Sequence, residues 1–229
     1  MTAQPILPGD PPIPLILRRS AQARRISLRI SQLDGRVTLT LPKRLAAAEA
    51  LSFAREKETW IRQHLDARGA DVPVTVGAQV PVGGTLLQVV PGNRRSVQIG
   101  STEIAVPGPA DRVGARLAGY LKQVARDRLA GACDDYAARL GQPYSRITMR
   151  DTRSRWGSCT SDGALMFSWR LIMMPPEVLD YVAAHEVGHL AQMNHSPAFW
   201  AEVTRIYGDY KPARMWLRQN GSDLHRYRF

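Results

Sequence analysis

His185-Glu186-Val187-Gly188-His189, followed six residues later by His195, constrains this chain more than any other stretch. On a helix, positions four apart project from one face, so the nitrogens of His185 and His189 can close on a single metal ion from adjacent turns. Glu186 sits one residue on, turned by about 100° around the axis. There it reaches a water on the metal without taking a coordination position, which is where a general base belongs. A helix continued unbroken would carry His195 about 240° around from His189 and away from the metal, so the spacing predicts that the helix stops near Asn194. Ser196-Pro197 then reads as an N-cap and N1 pair opening a second helix, with His195 in the corner between the two. Three histidines plus a water make the open tetrahedral arrangement of a catalytic zinc, and that pattern specifies a hydrolase.

A bare H-E-x-x-H also arises by chance on surface helices. Here Val178, Leu179, Val182, Ala183, Ala184, Val187 and Leu190 make the helix apolar on nearly every side, the mark of a buried helix. Two imidazoles and a carboxylate on such a helix carry a heavy desolvation cost unless a metal or partner groups satisfy them. Three of the chain's five histidines also fall between positions 185 and 195.

A chain of 229 residues, 44% hydrophobic and 22% charged, has the make-up of a folded globular protein with length for a sizeable core. The Pro-rich start, Met1 to Pro14, lacks the basic and apolar regions of a signal peptide, and no run approaches 18 apolar residues. Two cysteines, Cys133 and Cys159, form neither a disulfide framework nor a zinc-finger spacing, so a reduced cytoplasm without membrane association is expected. The net charge of +11 is uneven. Residues 1–70 carry 12 basic against 6 acidic side chains, 71–120 carry 4 against 3, and 121–229 carry 15 against 11. The basic N-terminal part either attracts nucleic acid or another anionic surface, weakly at most, or is a solvated face.

Along the chain, Leu15 to Leu17 and the alternating Ile26, Leu28 and Ile30 predict two strands. Asp34-Gly35 predicts a hairpin turn, and Val37, Leu39 and Leu41 continue the apolar face, leaving Arg25, Arg29 and Arg36 on or beside the opposite one. From Leu45 to Arg68, with Phe53, Ala54, Trp60, Ile61 and Leu65 at helical spacing, one long amphipathic helix is expected, its aromatic residues in the core. Val72 to Val76, Leu86 to Val90, Val97 to Ile99 and Ile104 to Val106 read as further antiparallel strands. Pro107-Gly108-Pro109 reads as a boundary, dividing a β-rich portion, 1–106, from a second domain, 107–229. A helix over 111–140 ending at Gly141 is expected to pack on the metal helix. Ile147 and Met149, then Leu165, Phe167 and Trp169 after the Asp162-Gly163 turn, predict a small antiparallel sheet before Pro175-Pro176 opens the metal helix. The fold class is α+β.

Arg155-Trp156-Gly157-Ser158-Cys159, Ser168-Trp169-Arg170-Leu171, Tyr181-Val182, the H-E-x-x-H and Asn194-His195-Ser196-Pro197-Ala198-Phe199-Trp200 together resemble the YgjP-like metallopeptidase domain, a family distantly similar to the SprT-like and WLM proteases. The resemblance is specific over 146–217 and looser in the N-terminal portion. It implies a compact zincin-like metallopeptidase fold, zinc held by His185, His189 and His195, and Glu186 as catalytic acid/base. Val187-Gly188 replaces the bulkier pair frequent among relatives.

Two readings of the Arg155 run stand side by side. Trp156, Gly157 and Ser158 form a rim for an extended substrate, with Arg155 meeting a carboxylate or phosphate, or Trp156 is core and Gly157 a strand bulge. Cys159 reads as a small buried hydrophobe rather than a fourth ligand. His64 and His225 read as surface or structural residues. Tyr207 and Tyr210 can donate to an oxyanion or simply pack. The function that follows is a zinc-dependent peptidase acting on a peptide or protein. One alternative keeps the metal and hydrolyses nucleotides or phosphodiesters in a pyrophosphatase-like manner. Another is a nucleic-acid-associated module with a non-catalytic metal, which retention of Glu186 argues against.

Overall fold

Val37, Leu39 and Leu41 are fully buried while Thr38 and Thr40 between them are half exposed, the period-two signature of a strand with one face on a core. In the computed structural model, which describes residues 4–31, 35–66 and 69–229, these residues form β4 (Val37–Pro42). Chain contacts divide the protein into two compact units, Met1–Ala70 and Asp71–Phe229. The first unit holds β1 (Ile6–Leu7), β2 (Ile13–Ser20), β3 (Ser27–Ile30) and β4 in the order β1-β2-β4-β3. β3 pairs antiparallel with β4 from Ile30 opposite Val37 to Ser27 opposite Thr40. Of the expected Asp34-Gly35 turn, Asp34 lies outside the described residues. Gly35, at a φ of 69°, donates its N–H to the Ser31 carbonyl at 2.9 Å. β2 runs parallel to β4, with Leu15 opposite Val37 and Leu17 opposite Leu39, so this portion is a mixed sheet and not the antiparallel one expected.

The single helix expected from Leu45 to Arg68 is two, α1 (Ala47–Glu56) and α2 (Glu58–Asp66), and Arg68 lies outside the described residues. Lys57 breaks the run with φ −95° and ψ 12°. Hydrogen bonds still step across it, from Lys57 N to Phe53 O at 3.1 Å and Ile61 N to Lys57 O at 2.9 Å. No proline or glycine marks the bend. Ala54 and Ile61 seal the inner sheet face with Leu7, Ile13, Leu15, Ile30, Val37 and Leu39. Trp60, expected in the core, is 41% exposed and stacks on His64 with ring centroids 3.9 Å apart.

The second unit opens with β5 (Val72–Pro73) and a sheet of β6 (Gln79–Val82), β7 (Thr85–Gly92), β8 (Gln98–Ile99) and β9 (Glu103–Pro107), ordered β6-β7-β9-β8. α3 (Val113–Leu140) follows and ends at Gly141, which adopts the left-handed conformation at φ 79° and caps Ala137 at 2.8 Å, as the C-cap reading requires. Next come β10 (Arg146–Arg150), β11 (Gly157–Cys159) and β12 (Ala164–Ser168), then the helices α4 (Pro176–Gly188), α5 (Pro197–Tyr207) and α6 (Lys211–Asn220). Near the end, β13 (Tyr227–Arg228) pairs with β5, and Arg228 meets Asp71 at 2.9 Å. The small sheet is ordered β10-β12-β11, with β10 parallel and β11 antiparallel to β12. This also departs from the antiparallel expectation. Its arrangement recurs: in β2-β4-β3, β7-β9-β8 and β10-β12-β11 the third strand of a chain segment slides between the first two, parallel to the first and antiparallel to the second.

One core joins Val80, Val89, Ile104 and Val106 of the sheet to Val113, Leu117, Leu121 and Leu129 of α3, to Phe167 of β12, and to Val178, Val182 and Val187 of α4. Pro107-Gly108-Pro109 therefore lies inside the second unit and the division falls at 70/71, because the apolar faces before and after the proline pair are buried against each other. α3 does pack along α4, as expected.

Candidate metal centre

α4 starts with Pro176 in its first turn, where the missing N–H costs nothing. It buries Val178, Leu179, Val182, Ala183, Ala184 and Val187. The helix ends at Gly188, six residues before the expected stop, but His189 at its C-cap keeps helical angles, φ −67° and ψ −17°. The i, i+4 phase of His185 and His189 is thus preserved. Gly188 is what lets α5 approach: a Cβ there would stand 3.1 Å from Val203 Cγ2 and 3.3 Å from Phe199 Cε2. The chain reverses through Leu190 N to Val187 O (2.9 Å) and Gln192 N to Gly188 O (3.1 Å). Ser196 then caps α5, its hydroxyl accepting from Phe199 N at 3.4 Å, as its Ser-Pro sequence predicts.

This corner brings the three imidazoles together. His195 Nε2 is 3.0 Å from His185 Nε2, and one nitrogen from each of His185, His189 and His195 lies within 4.8 Å of the others. His189 Nδ1 donates to the Gln192 carbonyl at 2.9 Å, which fixes the tautomer and leaves the Nε2 lone pair to the cluster. Burial first, then the neighbouring imidazoles, pushes His185 down to about 3, so it is neutral at ordinary pH. Its Nδ1 is buried with no hydrogen-bond partner among the described residues. Phe199, fully buried, touches all three rings, with centroids 4.9, 4.4 and 5.0 Å from His185, His189 and His195. Converging imidazole nitrogens on an apolar floor fit a divalent cation of borderline softness.

Glu186 is 7% exposed and stands outside the nitrogen cluster. Burial pushes its carboxyl up to about 8, with Arg155 drawing it back. Its neighbour is Gly157 at the start of β11. A Cβ on Gly157 would lie 2.5 Å from Glu186 Cγ and 2.6 Å from Oε1, so only glycine leaves the carboxylate its place. Gly157→Ala is expected to destabilise the fold by about 1–3 kcal/mol through overpacking, and to depress hydrolysis beyond what thermal melting accounts for. An alanine variant with wild-type melting temperature and rate would show that Glu186 is not held there.

The other rim residues separate. Gly157 and Ser158 lie on β11, the edge strand beside Glu186, while Arg155 is exposed. Trp156 packs against the C-terminal segment, its ring 5.0 Å from His225 and its Nε1 3.2 Å from where a Gly221 Cβ would stand. The Cys159 thiol contacts the Thr160 carbonyl at 3.4 Å, is pushed up to about 11 by burial, and is not among the converging donors. Tyr207 donates to the Glu177 carbonyl at 2.9 Å, and Tyr210 stacks on Trp200 at 4.7 Å. His64 accepts no core role, whereas His225 is buried and pushed down to about 4 by that burial and by Arg170.

Spacing does not reveal the roles of two arginines, although Arg170 stands in the Ser168-Trp169-Arg170-Leu171 run. Arg214 of α6 lies 4.6 Å from the centre of the Trp200 ring, which itself stands 5.6 Å from His185. Arg170 is buried and bonds Asp151 at 2.7 Å and the Leu224 carbonyl at 2.9 Å. It ties the end of β12 to the segment against which Trp156 packs. Neither carries a spacing signal, since both contacts join residues far apart in sequence.

Three imidazoles converging beside a buried carboxylate define the class, a metallohydrolase site. The chain belongs to the family described as YgjP-like, metallopeptidase domain, whose profile matches residues 24–220. No curated protein matches the chain. Among solved structures, the metallopeptidase zymogen of Pyrococcus abyssi abylysin is 18% identical, with 41% of this chain and 92% of that one covered and a TM-score of 0.36. No helix among the described residues is long and apolar enough to cross a membrane.

Proposed function

We propose that this protein is a zinc-dependent peptidase, with His185, His189 and His195 as the metal ligands and Glu186 as the general base. The observation that carries the reading is the approach of the three ring nitrogens to within 4.8 Å, next to a carboxylate that burial leaves ready to exchange protons near neutrality. A bound zinc would supply Lewis acidity, acidifying a water and polarising a carbonyl. Three protein nitrogens leave room for both, as a catalytic site needs and a structural site does not. Glu186 takes the proton from the water at its carboxylate and returns it to the nitrogen of the leaving amine. Gly157 keeps that carboxylate in position, and the apolar floor of Phe199 keeps competing water away.

The preference for a peptide rests on β11. It pairs with β12 on one side only; Ser158 spends its backbone groups on that pairing, so the backbone of Gly157 and Cys159 offers hydrogen bonds to an extended chain beside Glu186. A nucleotide has no use for such an edge. Two free cysteines, Cys133 and Cys159, fit a reducing compartment, and we place the protein in the cytoplasm.

The test is incubation of the zinc-loaded protein with an unfolded protein and, separately, with a nucleoside triphosphate panel. Expected are new amino termini from the unfolded protein, abolished by 1,10-phenanthroline and restored by zinc. Phosphate or pyrophosphate release without peptide cleavage would replace this reading with the nucleotide one.

A further inference from the structure

Residues 11–48 carry eight basic side chains and one acid, Asp34. Strand order gathers most of these charges at one place. β2 and β4 run parallel with Arg18 opposite Thr40 and Ser20 opposite Pro42, so their C-terminal ends lie side by side. β3 is antiparallel, with Ser27 opposite Thr40, so its beginning reaches the same end. Arg18 near the end of β2, Arg24 and Arg25 just before β3, and Lys43 and Arg44 just after β4 therefore share one end of the sheet, and all five are exposed. Arg19 stiffens it, donating from Nη1 to the carbonyls of Lys43 at 2.6 Å and Leu45 at 2.8 Å. The cluster differs from the Arg25, Arg29 and Arg36 set expected from alternation. Arg29 lies farther along the outer face opposite Thr38, and Arg36 follows Gly35 at the opposite end.

Among the described residues, three acids of this unit have partners outside the five cations. Glu56 pairs with Lys57, Glu58 pairs with Arg62, and Glu49 sits at the Ala46 N–H. The inner face of the sheet is closed by Ala54 and Ile61, so the outer face with Thr38, Thr40 and Ser27 is the one presented beside the charges. Three neighbouring strands span about 10 Å, wide enough for the five cations to meet successive phosphates rather than one small anion.

We propose that this end of the sheet binds nucleic acid through its phosphates, without reading sequence. Five exposed cations match the charge density of a duplex. Among the described residues the large exposed apolar side chains of this unit are Ile6 and Trp60, on β1 and α2, so the basic end offers no apolar wedge of the kind that anchors a protein in a membrane surface. It offers no aromatic platform for stacked bases either, which leaves the sugar-phosphate backbone as the partner.

The experiment is fluorescence anisotropy of the full chain with a short mixed-sequence DNA duplex across a potassium chloride series. Wild type is compared with the five-fold variant Arg18→Gln, Arg24→Gln, Arg25→Gln, Lys43→Gln, Arg44→Gln. A control variant loses equal charge elsewhere, at Arg55, Arg112, Lys122, Arg126 and Arg218, and circular dichroism checks all three folds. Each phosphate contact contributes about 0.9 to the slope of log K against log salt. The five-fold variant should therefore bind at least 100-fold more weakly at low salt, with a slope shallower by about 4.5, while the control keeps most of both. Failure of wild type to bind at low salt overturns the proposal. So does an equal loss in the control, or sedimentation with phosphatidylserine vesicles in place of duplex binding.

Discussion

Glu186→Gln is expected to lower the turnover of the zinc-loaded protein by about 10²–10⁴-fold with metal content unchanged. Gln preserves the side chain's shape against Gly157 but cannot take a proton. A variant retaining more than about a tenth of the activity would mean that another group activates the water. The same substitution has a second, independent readout in the metal-free protein. Burial holds the Glu186 carboxyl up to about 8, against 4.5 for the ordinary group, so folding keeps a proton that the unfolded chain releases. Below 4.5 both states are protonated and nothing is lost. As pH rises from 4.5 to 8 the unfolded state is favoured progressively, by roughly 4–5 kcal/mol in all. Glu186→Gln should abolish that alkaline loss. His185 acts in the opposite sense: pushed down to about 3 from 6.5, it destabilises the metal-free fold as pH falls below 6.5, and this acid arm should survive in the Gln variant. Denaturant titrations from pH 4 to 9 separate the two arms, and an unchanged alkaline arm in the variant would remove Glu186 as its source.

His195→Ala is expected to weaken metal retention as severely as His189→Ala, each by more than the roughly 10–100-fold that loss of a supporting partner brings. The two residues look unequal at first, since His189 is buried and bonded to Gln192 while His195 is exposed in a turn. The expectation of equal loss comes from position: His195 Nε2 is 3.0 Å from His185 Nε2, and one nitrogen of each of the three histidines lies within 4.8 Å of the others. Elemental analysis after competition with a chelator measures both variants. Wild-type zinc affinity in His195→Ala would show that the third ligand lies elsewhere.

Local signals account for what alternation and spacing revealed. The four-residue step from His185 to His189 needs only helical phase, and the Ser196-Pro197 cap and the Gly141 stop need only the chemistry of one or two residues. All three appear in the structure at those positions. The hairpin pairing of β3 with β4 follows from two adjacent alternating runs. By contrast, the site's sharpest packing requirement, Gly157 against Glu186, joins residues 29 positions apart, and no local pattern encodes it.

By itself, then, the sequence determined which faces are apolar, where helices can start and stop, and which side chains share a helical face, because each depends on neighbours within one or two turns. Tertiary structure decided the rest. A strand buries the same alternate residues whether its neighbour runs parallel or antiparallel, so hydropathy is blind to the three sheets in which the third strand enters between the first two. That entry, and not composition, collects Arg18, Arg24, Arg25, Lys43 and Arg44 at one end of a sheet. Position 188 of α4 must be glycine because Phe199 and Val203 of α5 occupy the space beside it. The division of the chain falls at 70/71 because burial joins Val106 to Val113 and Leu117 across the prolines, a preference set by apolar area shared between elements and not by residues that merely permit a turn.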